Sequence, residues 1–178
     1  EGELIRKPLM LQNVLFCPVL TWLSTALREQ GVERFFVCCP ASYQEEALAC
    51  FSSAEQVMVS DNRADLLAFL EGEEETLVVP GAAEPVDSAG QNEVYRASGS
   101  VLAHSLETGA EEVEGARSVP GFTSITTFKG LNSMQFLARA QILRELLAGG
   151  VCVMDPNNTY VDPRVRVGAG TMLLPGTI

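Results

Sequence analysis

Residues 161–178 read VDPRVR VGAGTM LLPGTI, three consecutive six-residue units that open on Val161, Val167 and Leu173. Behind each opening aliphatic stand small or turn-forming residues, and the spacing fits neither the 3.6-residue period of a helix nor the two-residue period of a strand. A six-residue repeat of this kind is the pattern of a parallel β-helix, in which each unit supplies one short flat side of a coil. Three units make one coil. Such a fold buries its interior by stacking coil on coil, so a single coil has an open end that something else covers or continues. The chain therefore reads as a truncated or unusually short member of a larger family.

Working outward, 178 residues with 47% apolar content suffice for one main domain plus a short appendage. The net charge of −11, with only 12 Lys and Arg, leaves no basic footprint for nucleic acid or for an anionic membrane surface. No apolar run approaches the roughly 20 residues that span a bilayer, and EGELIRKPLM lacks the apolar core of a signal peptide. A cytoplasmic protein that meets small molecules or other proteins is expected. Cys17, Cys38, Cys39, Cys50 and Cys152 show no C-x-x-C spacing and sit among aliphatics and aromatics, the setting of reduced thiols packed in a core.

Between the termini, apolar periodicity predicts a helix over 18–30, closed by Gly31, and RFFVCC predicts a strand over 34–39 buried on both faces of a parallel sheet. A helix over 42–51, a strand over 56–60, a helix over 63–71 and a strand over 76–79 follow. This alternation spells a doubly wound α/β sheet. The acidic run 71–75 reads as a solvated turn and not as a metal site. Residues 81–91 read as a loop. EVYRAS and VLAHSLE, separated by Gly99 and Ser100, read as a hairpin that carries the lone His104 in its second strand, and 125–128 reads as a last short strand. From Ser133 a helix is expected to reach Leu147, with Phe136, Leu137, Ala140, Ile142 or Leu143, and Leu147 facing inward. Phe35, Phe36, Phe128 and Phe136 read as core aromatics, and Trp22 as an interface anchor.

The run GLNSMQFLARAQILRELLAGGVCVMDPNNTYVDPRVRVGAGTMLLPGTI, Gly130–Ile178, resembles the junction of the bifunctional N-acetylglucosamine-1-phosphate uridyltransferase and glucosamine-1-phosphate acetyltransferase family. There a G-V-N-[DN]-R segment opens a linker helix that ends in L-x-x-G-V-x-x-x-D-P. GGVCVMDPNNTYVDP is the most specific piece of the match. NVLFCPVLTWLSTALREQGVERFFVCC and EVYRASGSVLAHSLE are similar to further segments of the uridyltransferase half. The resemblance implies a shortened nucleotidyltransferase-like (Rossmann-like) three-layer α/β domain over 1–132. A linker helix over 133–150 and about one coil of left-handed parallel β-helix over 151–178 would follow. It also implies Mg²⁺ as cofactor, a nucleotide or sugar phosphate as ligand, and a trimer built through the β-helix.

Several of the family's working parts have no counterpart here. Residues 1–11 hold no glycine-rich loop of the kind that cradles phosphates, and Asn13 replaces a lysine. The uridine-reading segment and the one that closes the sugar pocket are not matched. Of the two oxygen ligands that hold Mg²⁺ in the family, Asn132 matches one, whereas Ala82 stands where the aspartate belongs. Asn132, or Ser133 beside it, also suits the N-cap of the linker helix. Glu107 matches the glutamate that closes the family's hairpin and is the substrate-binding candidate. No catalytic residue is assigned. The expected function is a degenerate relative of UDP-N-acetylglucosamine pyrophosphorylases that does not catalyse alone. The alternative is an active sugar-1-phosphate nucleotidyltransferase, using UTP and N-acetylglucosamine 1-phosphate, with an altered or partner-supplied site.

Overall fold

The computed structural model of the chain describes residues 7–52, 56–80, 82–84, 94–110, 112–125 and 127–178. The elements begin with β1 (Asn13–Val14), β2 (Cys17–Pro18), α1 (Val19–Glu29), β3 (Arg34–Cys38), α2 (Gln44–Leu48), β4 (Gln56–Ser60) and α3 (Arg63–Leu70). They continue with β5 (Thr76–Val78), β6 (Ala82–Glu84), β7 (Tyr95–Ala97), α4 (Gly99–Thr108), β8 (Arg117–Ser118) and β9 (Thr123–Ile125). The chain ends with α5 (Phe128–Ala148), β10 (Cys152–Val153) and β11 (Met172–Leu173). The architecture is mixed α/β with small sheets. Two compact units divide it, residues 20–124 and residues 1–19 together with 125–178.

In the unit 20–124, β3 and β4 pair in parallel with Phe35 opposite Val57, joined by a crossover that contains α2. Phe35 points into a core with Leu23, Leu27, Val94 and Phe122 and meets the Phe51 ring at 5.1 Å between centroids, and Val37 on the same face is buried too. Burying each such side chain contributes roughly 1.5–3 kcal/mol. The expectation of a strand buried on both faces is corrected here. On the opposite face Phe36 is half-buried against Phe69 of α3, and Cys38 is exposed. The doubly wound reading is corrected too. β5 does not extend the parallel pair; it joins β7, and β7 joins β8, in an antiparallel sheet. Ala82–Glu84, expected as loop, pairs with β9, while the rest of that stretch, residue 81 and residues 85–91, lies outside the described residues.

The predicted hairpin is half right. β7 is a strand, but VLAHSLE lies in helix α4, because Ser98 caps its N-terminus by accepting the Val101 N–H and Gly109 closes it at φ 68°. Leu70, Ala97 and Leu102 pack together between these elements. Gly99 is required at the helix start: a Cβ there would stand 2.2 Å from the Leu70 carbonyl oxygen. The acidic run also does more than face solvent. Glu73 pairs with Arg34, and Glu75 takes both Arg96 and Arg117, at 2.8 and 2.7 Å.

The other unit is organised by α5. Thr127, not Asn132 or Ser133, is its N-cap, accepting the Gly130 N–H at 3.0 Å, so the helix opens five residues before the expected start and takes in Phe128. The last short strand accordingly lies at Thr123–Ile125 rather than at 125–128. The inward stripe is Leu131, Met134, Ala138, Ile142 and Leu143. Of the expected stripe only Ile142 and Leu143 are buried, whereas Phe136 is 65% and Leu147 51% exposed. Phe128, 43% exposed, is likewise not a core aromatic. The helix carries apolar residues on more than one face, and periodicity alone does not say which face packs. β1 and β2 form a hairpin around Leu15 and Phe16. Leu15 holds φ at 54°, and Gln135 of α5 grips the turn by accepting the Leu15 N–H and donating to the Asn13 carbonyl.

Beyond α5 the chain returns beside itself. Cys152 N–H reaches the Thr171 carbonyl at 2.8 Å, Tyr160 N–H the Thr177 carbonyl at 2.9 Å, and β10 pairs in parallel with β11. Val161 is buried and Val167 and Leu173 are half-buried, while most of the residues between them are exposed, a six-residue rhythm of burial. Of the five thiols, Cys17, Cys39 and Cys50 are buried, but Cys38 and Cys152 are exposed, contrary to a uniformly core placement. Burial pushes the Cys39 thiol above its ordinary range. Trp22 is half-buried. Among the described residues no helix is long and apolar enough to cross a membrane.

Candidate functional site

The metal candidate Asn132 stands in the second turn of α5 and is exposed. Its neighbours one helical turn away are Phe128, Lys129, Gln135 and Phe136, none of them a carboxylate, and the Gln135 amide is committed to the hairpin turn. Mg²⁺ asks for an octahedron of oxygens, with carboxylates at its heart. One exposed amide on this face does not by itself supply that. Among the described residues no three His, Cys, Asp or Glu side chains converge in a manner suited to a metal.

The substrate candidate Glu107 lies in the last turn of α4, exposed, rather than at the end of a hairpin. A helix C-terminus carries partial negative charge, and at this end of α4 the Arg63 guanidinium donates to the Leu106 carbonyl beside Glu107. On the same helix Ser100, His104 and Thr108 line an open depression of about 410 Å³ with Glu112 and Glu114. Among the described residues no Lys or Arg lines it. The depression suits hydroxyl-rich or cationic groups better than a nucleotide, whose phosphates need donors and positive charge. Reading 101–107 as a strand hid this depression: Ser100, His104 and Thr108 share a face with either period, but only the helical rise of about 1.5 Å per residue brings them close together.

A second polar constellation ties α5 to the loop that follows β10. Arg139 donates to the Asn157 carbonyl at 2.8 Å and to the Tyr160 hydroxyl at 3.1 Å, with its guanidinium over the Tyr160 ring at 5.1 Å. Asp155 caps the short turn Pro156–Asn158, and the hydrogen bond from the Asn158 side chain holds its carboxyl below the usual range. Asp162 does the same for its own turn, its carboxyl lowered by the Arg164 guanidinium. The D-P pairs therefore act as turn residues.

Comparison with known proteins bears on these placements. The chain is similar to bifunctional protein GlmU over part of its length. Against that of Pelotomaculum thermopropionicum it is 35% identical over 86 residues, 48% of this chain and 17% of the relative. Against that of Exiguobacterium it is 31% identical over 77 residues, 42% of this chain and 17% of the relative. Against that of Fervidobacterium nodosum it is 38% identical over 48 residues, 27% of this chain and 11% of the relative. The chain thus covers well under a fifth of the curated relatives it matches. No family model matches it, and neither does any solved structure.

Proposed function

We propose that the chain is a non-catalytic relative of sugar-1-phosphate uridyltransferases. On this reading it keeps a shortened, Rossmann-like nucleotidyltransferase domain over 1–132, a linker helix and the first coil of a left-handed β-helix over 151–178. The partial likeness to GlmU supports the relationship, and the parallel β10–β11 pair with its six-residue rhythm of burial supports the coil. The observation that carries the loss of catalysis is the pair of replaced positions. Ala82 heads a formed strand and Asn13 a formed hairpin, so the scaffold elements persist where the metal ligand and the phosphate-binding cation are gone. Phosphoryl transfer rests on positioning and electrostatic stabilisation, and those two substitutions remove both. The expected role is a cytoplasmic packing or assembly module, self-associating through the coil.

The test is calorimetric titration with UTP and with UDP-N-acetylglucosamine, each with and without Mg²⁺, on the parent and on Asn132→Ala. No saturable heat with either ligand is expected. Saturable binding that Mg²⁺ strengthens and the substitution weakens would overturn the proposal in favour of the active nucleotidyltransferase.

A further inference from the structure

Three of the chain's ten sulfur-bearing side chains, from 5 Cys and 5 Met, stand on one face of the β10–β11 pair. Cys152 and Met172 are partners in the parallel register, and Val153 is opposite Leu173. Residues paired in register point to the same side of a sheet, and alternate residues along a strand return to that side. Met154 donates its backbone N–H to the Leu173 carbonyl at 3.0 Å, which carries the ladder one residue beyond β10. Its side chain therefore joins those of Cys152 and Met172, with Leu174 alongside. This face is open: Cys152 is exposed, and Met154, Met172 and Leu174 keep 58%, 57% and 58% of their accessible surface. On the opposite face Val153 and Leu173 are half-buried.

The geometry points to a binding site for a soft monovalent cation, Cu(I) or Ag(I), formed by the Cys152 thiolate and the Met154 and Met172 thioethers. Thiolate and thioether sulfur select such ions, whereas Mg²⁺ and Ca²⁺ demand the oxygens this face lacks. Neighbouring strands lie about 4.8 Å apart and alternate residues about 6.6 Å, spans that methionine, with three rotatable bonds, closes by rotation. Binding exchanges one proton for one ion: the Cys152 thiol and Cu⁺ give a sulfur–copper bond and a released H⁺, with no change of oxidation state. The site does not depend on the nucleotidyltransferase reading.

The test is anaerobic titration of the full chain with Cu(I) against bicinchoninate, in a Cys38→Ser background that removes the other exposed thiol. One tightly held Cu(I) per chain is expected. Met154→Leu and Met172→Leu keep the apolar volume and remove the sulfur. Each should weaken binding by at least the roughly ten- to hundredfold that loss of even an outer-shell partner costs. Met58→Leu, at an exposed methionine on β4, should leave affinity unchanged. All the substituted side chains are solvent-exposed, so the fold is not at stake. The near-ultraviolet sulfur-to-copper band, lost in Cys152→Ser, gives a second readout. Parent-like affinity in both Met→Leu variants would reduce the site to a lone thiol on an apolar patch, and parent-like affinity in Cys152→Ser would remove it altogether.

Discussion

The single residue under most constraint in the unit 20–124 is Gly99. It opens α4 directly after the capping Ser98, and its own N–H donates to the Glu73 carbonyl at 2.9 Å. A methyl group there would meet the Leu70 oxygen at 2.2 Å and the Glu73 oxygen at 3.0 Å, both backbone atoms that a rotamer change cannot move. Gly99→Ala is therefore expected to lower stability by about 1–3 kcal/mol, the cost of forcing atoms into a filled space. Chemical denaturation measures it. A loss below a few tenths would mean that the α3–α4 junction yields easily. The favourable helix propensity of Ala over Gly, about 1 kcal/mol in a helix interior, works in the opposite direction and makes a large net loss informative.

Among the elements, α5 and the segment that follows β10 depend on one side chain to stay together. Arg139 combines two hydrogen bonds with stacking on Tyr160, and Phe136 lies on the same guanidinium at 5.8 Å. Arg139→Ala should weaken this tie by about 1–2 kcal/mol. Hydrogen exchange is the suitable reading, with protection lost at the Tyr160 and Gly176 amides, which bond across the return of the chain, before the helix interior. Equal loss throughout α5 would mean that the segment and the helix open as one. The limits of sequence reading are visible at this scale. α1 could be placed from its one dominant apolar face and its Gly31 stop, and β3, β4 and α3 from short apolar runs between polar breaks. α4 could not: β7 and α4 share a run of aliphatics and small residues, and the Ser98 cap that decides the matter is one hydroxyl. Nor could the sequence choose between the apolar faces of α5, since Met134 and Phe136 are equally hydrophobic and only packing separates them. Asn132 and Glu107 were found by resemblance, which set Asn132 at the head of a linker helix and Glu107 at the end of a hairpin but does not reveal the packing that leaves both exposed.

For the whole molecule the dominant feature is an uneven distribution of charge. The unit 20–124 holds 18 Asp and Glu against 5 Lys and Arg, a net of −13, while residues 1–19 and 125–178 hold 5 against 7, a net of +2. Within the acidic unit, Arg34, Arg96 and Arg117 are already paired with Glu73 and Glu75, which leaves two further cations, Arg28 and Arg63, against sixteen other carboxylates. Exposed ion pairs of this kind contribute about 0–1 kcal/mol each and weaken with salt. Repulsion among the surplus carboxylates weakens too, because the screening length shortens from about 30 Å at 0.01 M to about 10 Å at 0.1 M ionic strength. With so large a surplus of one sign, the relief of repulsion should exceed the loss of three pairs. Adding sodium chloride is therefore expected to raise the unfolding temperature, most steeply below about 0.1 M, where the screening length is still changing fast. Scanning calorimetry across that range decides it. A falling unfolding temperature would show that the Arg–Glu pairs, and not the surplus charge, set the electrostatic balance of this fold.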